Sequence, residues 1–450
     1  MLVRFVLENV FSFGKRKEFS TIPNTRLKTL KEHIYNIDNF EILKLSSIYG
    51  ANGSGKSNLI KSLDYLKLFI TGEEMPIAYR NNAFRFNENK KKILVIEFIQ
   101  TNTAYLYGLE LDENSIITEE LYISGLGRKD DFLLYERKTV GEKTTIKFFD
   151  EFENDKKSTV IKEVLIEEFV KVDKPILRLL ANRENKNLKE IKNAFNWFNK
   201  SLQIITPQSK PIALAHRIDS DETFKMFAEG LMSSFNIGIK SLVTERTNIY
   251  DYFGKDNTNE IDELITKIED SKNKAIGFRT RKNEEIIIVK EDAEYVVKTI
   301  SLVHEANKVQ KSFTLDEASD GTVRLLNFAP AFKNIFLEDK VVLIDEIERS
   351  IHPLLIKELI RKFSAESYTK GQLIFTTHES NLLDQNIFRQ DEIWFTEKDI
   401  EGATDIYSLS DFKEHKTIDI RKGYLGGRYG SIPFLGNFND LNWAKNDINK

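Results

Sequence analysis

The spacing of apolar residues predicts alternating strands and helices in the first third of the chain. Apolar runs at Leu2–Val10, Leu43–Tyr49, Ile93–Ile99 and Ala104–Leu111 predict strands, and the last two are close enough to form a hairpin. After the second of these strands, the apolar residues of Asn58–Phe69 recur at helical spacing. A strand, a glycine-rich turn and a helix are therefore expected to follow one another around residue 50.

The apolar pattern changes after a polar patch at 151–158. From about 158 to 275 it is helical, with one apolar stripe formed by Leu188, Ile191, Phe195, Phe198 and Leu202. The other predicted strands are Glu119–Val140, Ile286–Val289, Val296–His304, Val341–Ile344 and Leu373–Thr377. The last two are short apolar runs, typical of buried parallel strands. We expect an α/β fold in three regions: an N-terminal lobe at 1–150 with an antiparallel β subdomain near 90–140, an α-helical insertion at 151–280, and a C-terminal lobe at 281–450.

The composition excludes several kinds of structural site and of protein. The chain has 450 residues, 41% of them hydrophobic, a net charge of −4 and no cysteine, which excludes disulfides and thiolate metal sites. Its six histidines show no metalloprotease-type spacing, so no structural zinc site is inferred. The N-terminus does not read as a signal peptide, and no run of about 18 apolar residues occurs, so no membrane partner and a cytoplasmic location are expected.

The strongest motif is the octapeptide GANGSGKS at Gly50–Ser57, which fits the phosphate-binding pattern G-x-x-x-x-G-K-[ST]. Glycines let the backbone turn so that several N–H groups point at phosphate oxygens. Lys56 would reach the β- and γ-phosphates, and the hydroxyl of Ser57 would ligate Mg²⁺. A chance match is disfavoured because the predicted strand before it and helix after it are the context that the motif requires.

A second element is the acid pair at the end of a predicted strand. Asp345 and Glu346 follow Val341–Ile344 directly. In a protein with this loop, such an Asp completes the Mg²⁺ shell, and an adjacent Glu polarises the attacking water. The next predicted strand ends in Thr377 and His378, and a histidine there is able to contact the γ-phosphate.

A third element precedes the acid pair. The segment Ser319-Asp-Gly-Thr, with Ser319 and Gly321, opens an apolar helical run at Val323–Phe332. A serine and a glycine at a helix N-terminus form an anion site, although alone they read as a plain N-cap. The order of this segment relative to the acid pair favours the anion site.

Together these elements resemble the Walker A, signature, Walker B and H-loop motifs of ABC ATPases. The opening FVLENVFSF at Phe5–Phe13 is similar to that of the SMC, RecF and OLD group. The signature, the segment Ile347–Pro353 and the tail Tyr424–Phe434 resemble compact bacterial ATPase subunits of anti-phage systems such as PARIS and Septu. The resemblance covers both ends of the chain and leaves about 150–275 poorly covered. It implies an ABC-type P-loop ATPase head with ATP and Mg²⁺ as ligands.

The resemblance also implies a role for each matched residue. Ser57 and Asp345 would bind Mg²⁺, Glu346 would be the catalytic base and His378 the γ-phosphate switch. Ser319 and Gly321 would bind the γ-phosphate in trans, across a head-to-tail dimer. The residues expected to contact the nucleotide are Gly50, Asn52, Gly53, Ser54, Gly55, Lys56, Ser57, Asn58, Ser319 and Gly321.

Some positions depart from the ABC pattern or stay unassigned. The signature lacks the second glycine and the glutamine of LSGGQ, which makes slow turnover an open alternative. Arg349–His352 lies where the D-loop is expected, and Gln100 is the candidate for the Q-loop glutamine. The tail at 424–434 either binds a partner or packs on the head. Asp391 and Glu392 read as loop charges, not as part of a nuclease site.

The resemblance implies an ATPase that dimerises on ATP and regulates a separate effector, a nuclease or toxin, in anti-phage defence. A DNA-repair ATPase like RecF is an alternative, for which the basic runs Lys90–Lys92 and Arg279–Lys282 would have to contact DNA. A solvated surface is the simpler reading of such runs. A non-hydrolysing scaffold that uses ATP as structural glue is the other alternative.

Overall fold

The predicted strands and the predicted helix near residue 50 are confirmed with small shifts at their ends, except that the stretch Glu119–Val140 forms two strands separated by residues 124–131. The structure, a computed structural model, describes residues 1–79, 81–87, 90–113, 115–211, 213–235, 238–271, 274–279, 285–412, 414–415 and 418–432. The strands are β1 Leu2–Glu8, β2 Lys17–Ser20, β3 Ile34–Ile37, β4 Phe40–Leu43, β5 Leu45–Gly50, β6 Lys92–Gln100, β7 Thr103–Leu111, β8 Ile116–Ile123, β9 Phe132–Val140, β10 Lys143–Phe148, β11 Leu202–Ile205, β12 Ile239–Asn248, β13 Ala275–Arg279, β14 Glu285–Glu291, β15 Glu294–Ala306, β16 Val309–Thr314, β17 Val341–Ile344, β18 Gln372–Thr376, β19 Ile393–Lys398 and β20 Thr404–Ser408. The helices are α1 Lys56–Thr71, α2 Asp150–Glu153, α3 Lys156–Val164, α4 Leu177–Ala181, α5 Lys189–Asn196, α6 Leu214–Ser220, α7 Glu222–Ser234, α8 Ile249–Phe253, α9 Thr258–Asp270, α10 Asp320–Leu337, α11 Pro353–Ala365 and α12 Ile420–Leu425. None of the helices in these ranges is long and apolar enough to cross a membrane.

The predicted antiparallel β subdomain is part of a seven-stranded sheet in the order β10-β9-β8-β7-β6-β1-β2. The predicted hairpin is confirmed as β6 and β7, whose register runs from Lys92 opposite Leu111 to Gln100 opposite Thr103. Its two turn residues, Thr101 and Asn102, both have positive φ, at 48° and 63°. A two-residue loop with positive φ at both positions matches the twist of the strands it joins.

A second, mixed sheet has the order β11-β17-β18-β5-β19-β20. β5 is buried along its whole length and pairs in parallel with β18 on one side and β19 on the other. Parallel strands bring their carboxyl ends to one edge, and in such sheets that edge carries the ligand site. The end of β5, which leads into the glycine-rich turn and α1, therefore lies at the same edge as the ends of β18 and β19.

The chain divides into two compact units that are not continuous in sequence. The first contains Met1–Ile204, Leu343–Glu346 and Gln372–Lys450, and the second contains Ile205–Val342 and Ile347–Gly371. In the second unit, β12, β15, β14 and β13 form a sheet, with β16 also paired to β15. One hydrophobic core of this unit joins side chains of α6, α7 and α10 to this sheet, among them Leu214, Phe224, Met232, Leu242, Leu302 and Leu326.

The helical pattern expected over 158–275 is interrupted by two strands, β11 and β12. Helices α3 to α9 occupy most of that stretch, but β12 pairs with β15 from Ile239 opposite His304 to Asn248 opposite Val296. The segment contains β-branched residues such as Val243, Thr244 and Thr247, which favour strands. Pairing with a strand that is distant in sequence decides its structure, and local periodicity does not report such pairing.

A buried charged cluster in the first unit fixes the segment that leads into α4. The side chains of Glu119 and Arg137 are both 0% exposed, and Nη1 of Arg137 lies 3.4 Å from Oε2 of Glu119. Glu119 also accepts hydrogen bonds from the hydroxyl groups of Tyr107 and Tyr135 and from the backbone N–H of Ile176. Arg137 donates to the carbonyl groups of residues 171, 172 and 174. Burial, and then the charge of Glu119, raise the pKa of both tyrosines far above the ordinary value, so both are hydrogen-bond donors at neutral pH.

The described part of the tail packs on the first unit. The ring of Phe395 in β19 stacks on Tyr424 and Tyr429, with centroids 5.7 and 5.5 Å away. The hydroxyl of Tyr407 donates to the carbonyl of Tyr429 at 2.6 Å. Packing on the head is therefore the role that the structure gives to this segment up to residue 432, while 433 and 434 lie outside the described residues.

Candidate functional site

The glycine-rich turn between β5 and α1 has the backbone of a phosphate-binding loop. Gly53 and Gly55 have φ values of 78° and 112°, a region that side chains other than glycine rarely adopt. A Cβ added to Gly50 would lie 2.5 Å from the carbonyl oxygen of Thr396, and one added to Gly55 would lie 2.0 Å from Oγ1 of Thr404. The three glycines of the motif are thus required by backbone conformation or by close neighbours. Ser54 and Lys56 are buried, Ser57 and Asn58 are half-buried, and Asn52 is exposed.

Lys56 places its ammonium group among backbone carbonyls of the same loop. Its Nζ donates to the carbonyl oxygens of Gly50 at 2.7 Å and Ala51 at 3.0 Å. It also lies 3.2 Å from Nδ1 of His378, with which it forms a hydrogen bond. Desolvation of the ring, and then the charge of Lys56, lower the pKa of His378, which favours the neutral imidazole. Because a lysine has no acceptor, Nδ1 of His378 must be the acceptor, and His378 lies beside Lys56 in the loop.

Hydroxyl groups of the loop and of β18 form hydrogen bonds with Asp345 of the acid pair. Ser57 donates to Oδ1 of Asp345 at 3.0 Å, and the hydroxyl of Thr376 donates to the same oxygen at 2.6 Å. The backbone N–H of Glu346 in turn donates to Oγ1 of Thr376 at 2.8 Å. Glu346 itself has a φ of 54°, in the left-handed region. Through these two hydrogen bonds, Thr376 orients the carboxylate of Asp345 and the backbone of Glu346 at the end of β17.

The oxygen atoms at this edge fit a magnesium ion bound together with phosphate. Mg²⁺ prefers hard oxygen ligands and keeps several waters, so one hydroxyl and one carboxylate are sufficient protein ligands. Ser57 and Asp345 supply this pair. Within the described ranges, no group of three or more His, Cys, Asp or Glu residues is arranged to hold a metal. The donor set is thus that of a nucleotide-assisted Mg²⁺ site, not that of a metal site formed by protein ligands alone.

The signature residues lie in the second unit, at the start of α10. The hydroxyl of Ser319 accepts a hydrogen bond from the backbone N–H of Thr322 at 3.2 Å and so caps the helix. A Cβ added to Gly321 would lie 2.5 Å from the carbonyl oxygen of Ser350, whose φ is 63°. The signature turn therefore packs on Arg349–His352, the segment expected to be the D-loop.

Thr376 was not among the predicted site residues, although the Thr-Thr-His sequence at the end of β18 is a usable signal. Gln100, the Q-loop candidate, lies at the end of β6, where its Oε1 accepts a hydrogen bond from Ser201 at 2.9 Å. No described contact links it to the loop or to the acid pair.

Among the basic runs, Lys91 pairs with Glu110 and Lys92 donates to Asn82, while 280–284 lie outside the described residues.

Asp391 and Glu392 have structural partners. Nδ1 of His33 lies 2.9 Å from Oε1 of Glu392, and Arg389 forms two hydrogen bonds with Asp391. Both acids are almost fully buried, and burial raises the pKa of Glu392. They anchor the start of β19 and the segment that precedes β3, so the interpretation as loop charges is wrong: both are buried charges in a short 3₁₀ helix.

Comparison with known proteins gives a family. A family model described as "AAA domain, putative AbiEii toxin, Type IV TA system" matches residues 45–384, which is more than half of the chain and contains the loop, the signature, the acid pair and His378. A solved SmcHead bound to the C-winged helix domain of ScpA is 14% identical, with 92% of this chain and 99% of that chain covered and a TM-score of 0.43. The SMC head domain from Thermotoga maritima is 12% identical, with 90% and 98% covered and a TM-score of 0.37. An Smc head domain with an extended coiled coil, bound to the C-terminal domain of ScpA derived from Pyrococcus furiosus, is 14% identical, with 92% and 99% covered and a TM-score of 0.39. No curated protein matches the chain.

Proposed function

The chain belongs to this AAA-domain family, and from that premise we propose that it hydrolyses ATP in a head-to-tail dimer and thereby regulates a separate effector in anti-phage defence. Family membership supports ATP binding. The observation that carries the proposal is two sets of contacts at one sheet edge: Lys56 contacts His378, and Ser57 and Thr376 both contact Asp345. These contacts join distant parts of the chain and involve the residues that we propose for phosphate and Mg²⁺ binding.

Each residue has one role in the proposed reaction. The N–H groups of the loop and Nζ of Lys56 bind the β- and γ-phosphates, and Ser57 and Asp345 hold Mg²⁺, which neutralises phosphate charge when bound. Glu346 accepts a proton from the water that attacks the γ-phosphorus, and the bond between that phosphorus and the β,γ-bridging oxygen breaks to release ADP and phosphate. The lowered pKa of His378 favours the neutral imidazole, whose N–H donates a hydrogen bond to a γ-phosphate oxygen without adding a charge next to Lys56.

We propose that the signature acts across the dimer. α10 has 18 residues, and Ser319 at its N-cap is exposed. The N–H groups and the dipole at a helix N-terminus attract anions, so a γ-phosphate held by the other copy would be stabilised there. ATP would then join two copies, and hydrolysis would release them.

The family description and the sequence resemblance together support the role in defence. The family is described by a toxin and a toxin–antitoxin system, and the signature and tail resemble ATPase subunits of anti-phage systems. The sequence shows no nuclease motif of its own, so we propose that the toxic activity resides in a separate nuclease or toxin. The change between ATP-bound dimer and monomer would control that partner.

Mixing two inactive variants tests the composite site. Ser319→Asp keeps an N-cap acceptor for α10 but places a carboxylate where the γ-phosphate would bind, and Lys56→Ala removes the phosphate-binding lysine. We expect each variant alone to hydrolyse ATP at no more than a few per cent of the wild-type rate. A 1:1 mixture should recover up to roughly half of the wild-type rate, because neither variant dimerises alone, so every dimer is mixed and has one intact site of its two.

The size of the complexes is measured in the same samples by light scattering with and without ATP. Ser319→Asp should still bind ATP but stay monomeric, while the mixture should show an ATP-dependent dimer. A mixture that is no more active than the two separate variants would contradict a site shared between two copies. A wild type that neither binds nor hydrolyses ATP would contradict the proposed function as a whole.

A further inference from the structure

Two hydroxyl groups from outside the motif contact Ser54 of the phosphate-binding loop, and a third contacts one of these two. They belong to Ser12, which follows β1, to Thr396 in β19 and to Thr404 in β20. Together with Ser54 of the loop they are at most 7% exposed. Thr404 lies so close to the loop that a Cβ on Gly55 would collide with its side chain. Such a set of buried hydroxyls needs an acceptor for every proton, and the acceptors here lie in the loop, at the end of β5 and within the set itself.

The first chain of hydrogen bonds ends on the loop backbone. Oγ1 of Thr404 donates to the carbonyl oxygen of Ser54 at 2.9 Å. A hydroxyl carries a single proton, so in the contact of 2.7 Å between Thr404 and Ser12 the donor must be Ser12. The backbone N–H of Thr404 donates to the carbonyl of Ser12 at 2.7 Å, which fixes the two residues to each other a second time. Ser12 therefore donates to Thr404, and Thr404 donates to Ser54.

The second chain starts from the side chain of Ser54. Oγ1 of Thr396 donates to the carbonyl oxygen of Tyr49 at 3.3 Å, at the end of β5. The contact of 2.7 Å between Ser54 and Thr396 must then have Ser54 as donor. Ser54 is thus held twice, by its carbonyl oxygen and by its hydroxyl, from two neighbouring strands.

We propose that Ser12, Thr396 and Thr404 are positioning residues for nucleotide binding, an inference that rests on the proposed function. In a trans peptide the C=O and N–H groups point in opposite directions. Holding the carbonyl of Ser54 from behind therefore turns the N–H of Gly55 towards the inner side of the loop, where phosphate binds. Without this brace, the backbone at Gly55 (φ 112°) is free to rotate, because glycine imposes no barrier of its own. The brace prearranges the N–H groups before ATP arrives and so lowers the entropy that binding must remove.

The test is ATP affinity in variants that remove one hydroxyl and keep the shape. Thr404→Val and Ser12→Ala should each raise the Kd for a fluorescent ATP analogue about tenfold, equal to about 1.4 kcal/mol. The double variant should be no weaker than Thr404→Val alone, since both act through one chain. Thr404→Ser, which keeps the hydroxyl, should restore the affinity. KM for ATP should rise in parallel, with a smaller change in kcat, because the chain does not contact the water or Glu346.

A matched control is Thr139→Val in β9, away from the loop. This substitution removes a buried hydroxyl that contacts Thr144 of β10 at 3.1 Å. It should leave the ATP affinity as in the wild type. Equal affinities for Thr404→Val and Thr139→Val would overturn the inference, as would a loss of affinity in Thr404→Val that Thr404→Ser fails to restore. Thr396→Val provides the same comparison on the second chain, so a folding defect of one variant does not decide the result. If the wild type binds no ATP, the proposed function fails, whereas an ATP-binding wild type with unchanged variants refutes the brace alone.

Discussion

Glu346→Gln is expected to lower kcat for ATP by roughly 10²–10³-fold while ATP binding persists, because only the proton acceptor for the attacking water is lost. The amide has nearly the shape of the carboxylate, and the backbone N–H of residue 346 keeps its hydrogen bond to Thr376. Ser57, Asp345 and Lys56 stay in place, so Mg²⁺ and phosphate still bind. The variant should therefore accumulate as an ATP-bound dimer, seen by light scattering as a species of twice the mass that the wild type forms only transiently.

Glu379→Gln is the control for this experiment. Glu379 lies next to His378 in sequence, and its carboxylate accepts hydrogen bonds from Asn381, so it tests whether any loss of negative charge near the site slows turnover. It should hydrolyse ATP as the wild type does. If the wild type is already inactive and its size ignores ATP, the scaffold alternative takes the place of the proposed enzyme. If Glu346→Gln turns over normally, another group must be the base.

The largest effect on stability is expected for Glu119→Ala. The substitution leaves a fully buried guanidinium without its carboxylate, and it removes the acceptor of two tyrosine hydroxyls and of the N–H of Ile176. Breaking one partner of a buried ion pair costs about 3–5 kcal/mol. In a protein of this size, that corresponds to a drop in the melting temperature on the order of 10 °C, measured by calorimetry for the transition of the first unit.

This cluster also supports the site indirectly. It fixes the segment before α4, and Arg178 of α4 donates to the carbonyl of Gly72, the residue after α1. α1 starts at Lys56, so loosening the cluster removes a support at the far end of the helix that follows the phosphate-binding loop. Glu120→Ala is the matched control, since the neighbouring side chain on the opposite face of β8 is only half-buried and accepts a hydrogen bond from Tyr122. It should cost less than about 1 kcal/mol. A melting temperature for Glu119→Ala close to that of Glu120→Ala would show that the buried pair does not stabilise the fold.

The sequence predicts those parts of the molecule that short-range physics determines. The loop at Gly50–Ser57 requires a strand before it and a helix after it, and β5 and α1 are both present. The runs before Asp345 and His378 are apolar enough to be buried strands, and they form β17 and β18. The hairpin of β6 and β7 is equally local, because its two strands are joined by two residues.

The remaining features depend on which distant segments become neighbours. Thr376 contacts Asp345 only because β18 lies beside β17 in the sheet, and nothing in either strand alone encodes that order. The contact of Ser12 with Thr404, and that of Thr404 with the loop, join residues at the two ends of the chain. β12 has a similar origin, since it is stabilised by β15 and not by its own periodicity. The proposed contact of Ser319 with a nucleotide bound by a second copy is one step further away, because it would depend on residues of two chains.

The backbone conformation at position 346 favours an amino acid other than glutamate. A φ of 54° costs a side-chain residue roughly 1–2 kcal/mol relative to the right-handed region, a cost that glycine escapes and asparagine partly escapes. On backbone grounds alone, position 346 would be occupied by Gly or Asn, and either exchange would leave the neighbouring hydrogen bond from its N–H to Thr376 intact. Under the proposed function, the requirement for a carboxylate therefore opposes the preference of the backbone at this position. The proposed role of Glu346 as proton acceptor would explain why a glutamate stands there despite its conformational cost.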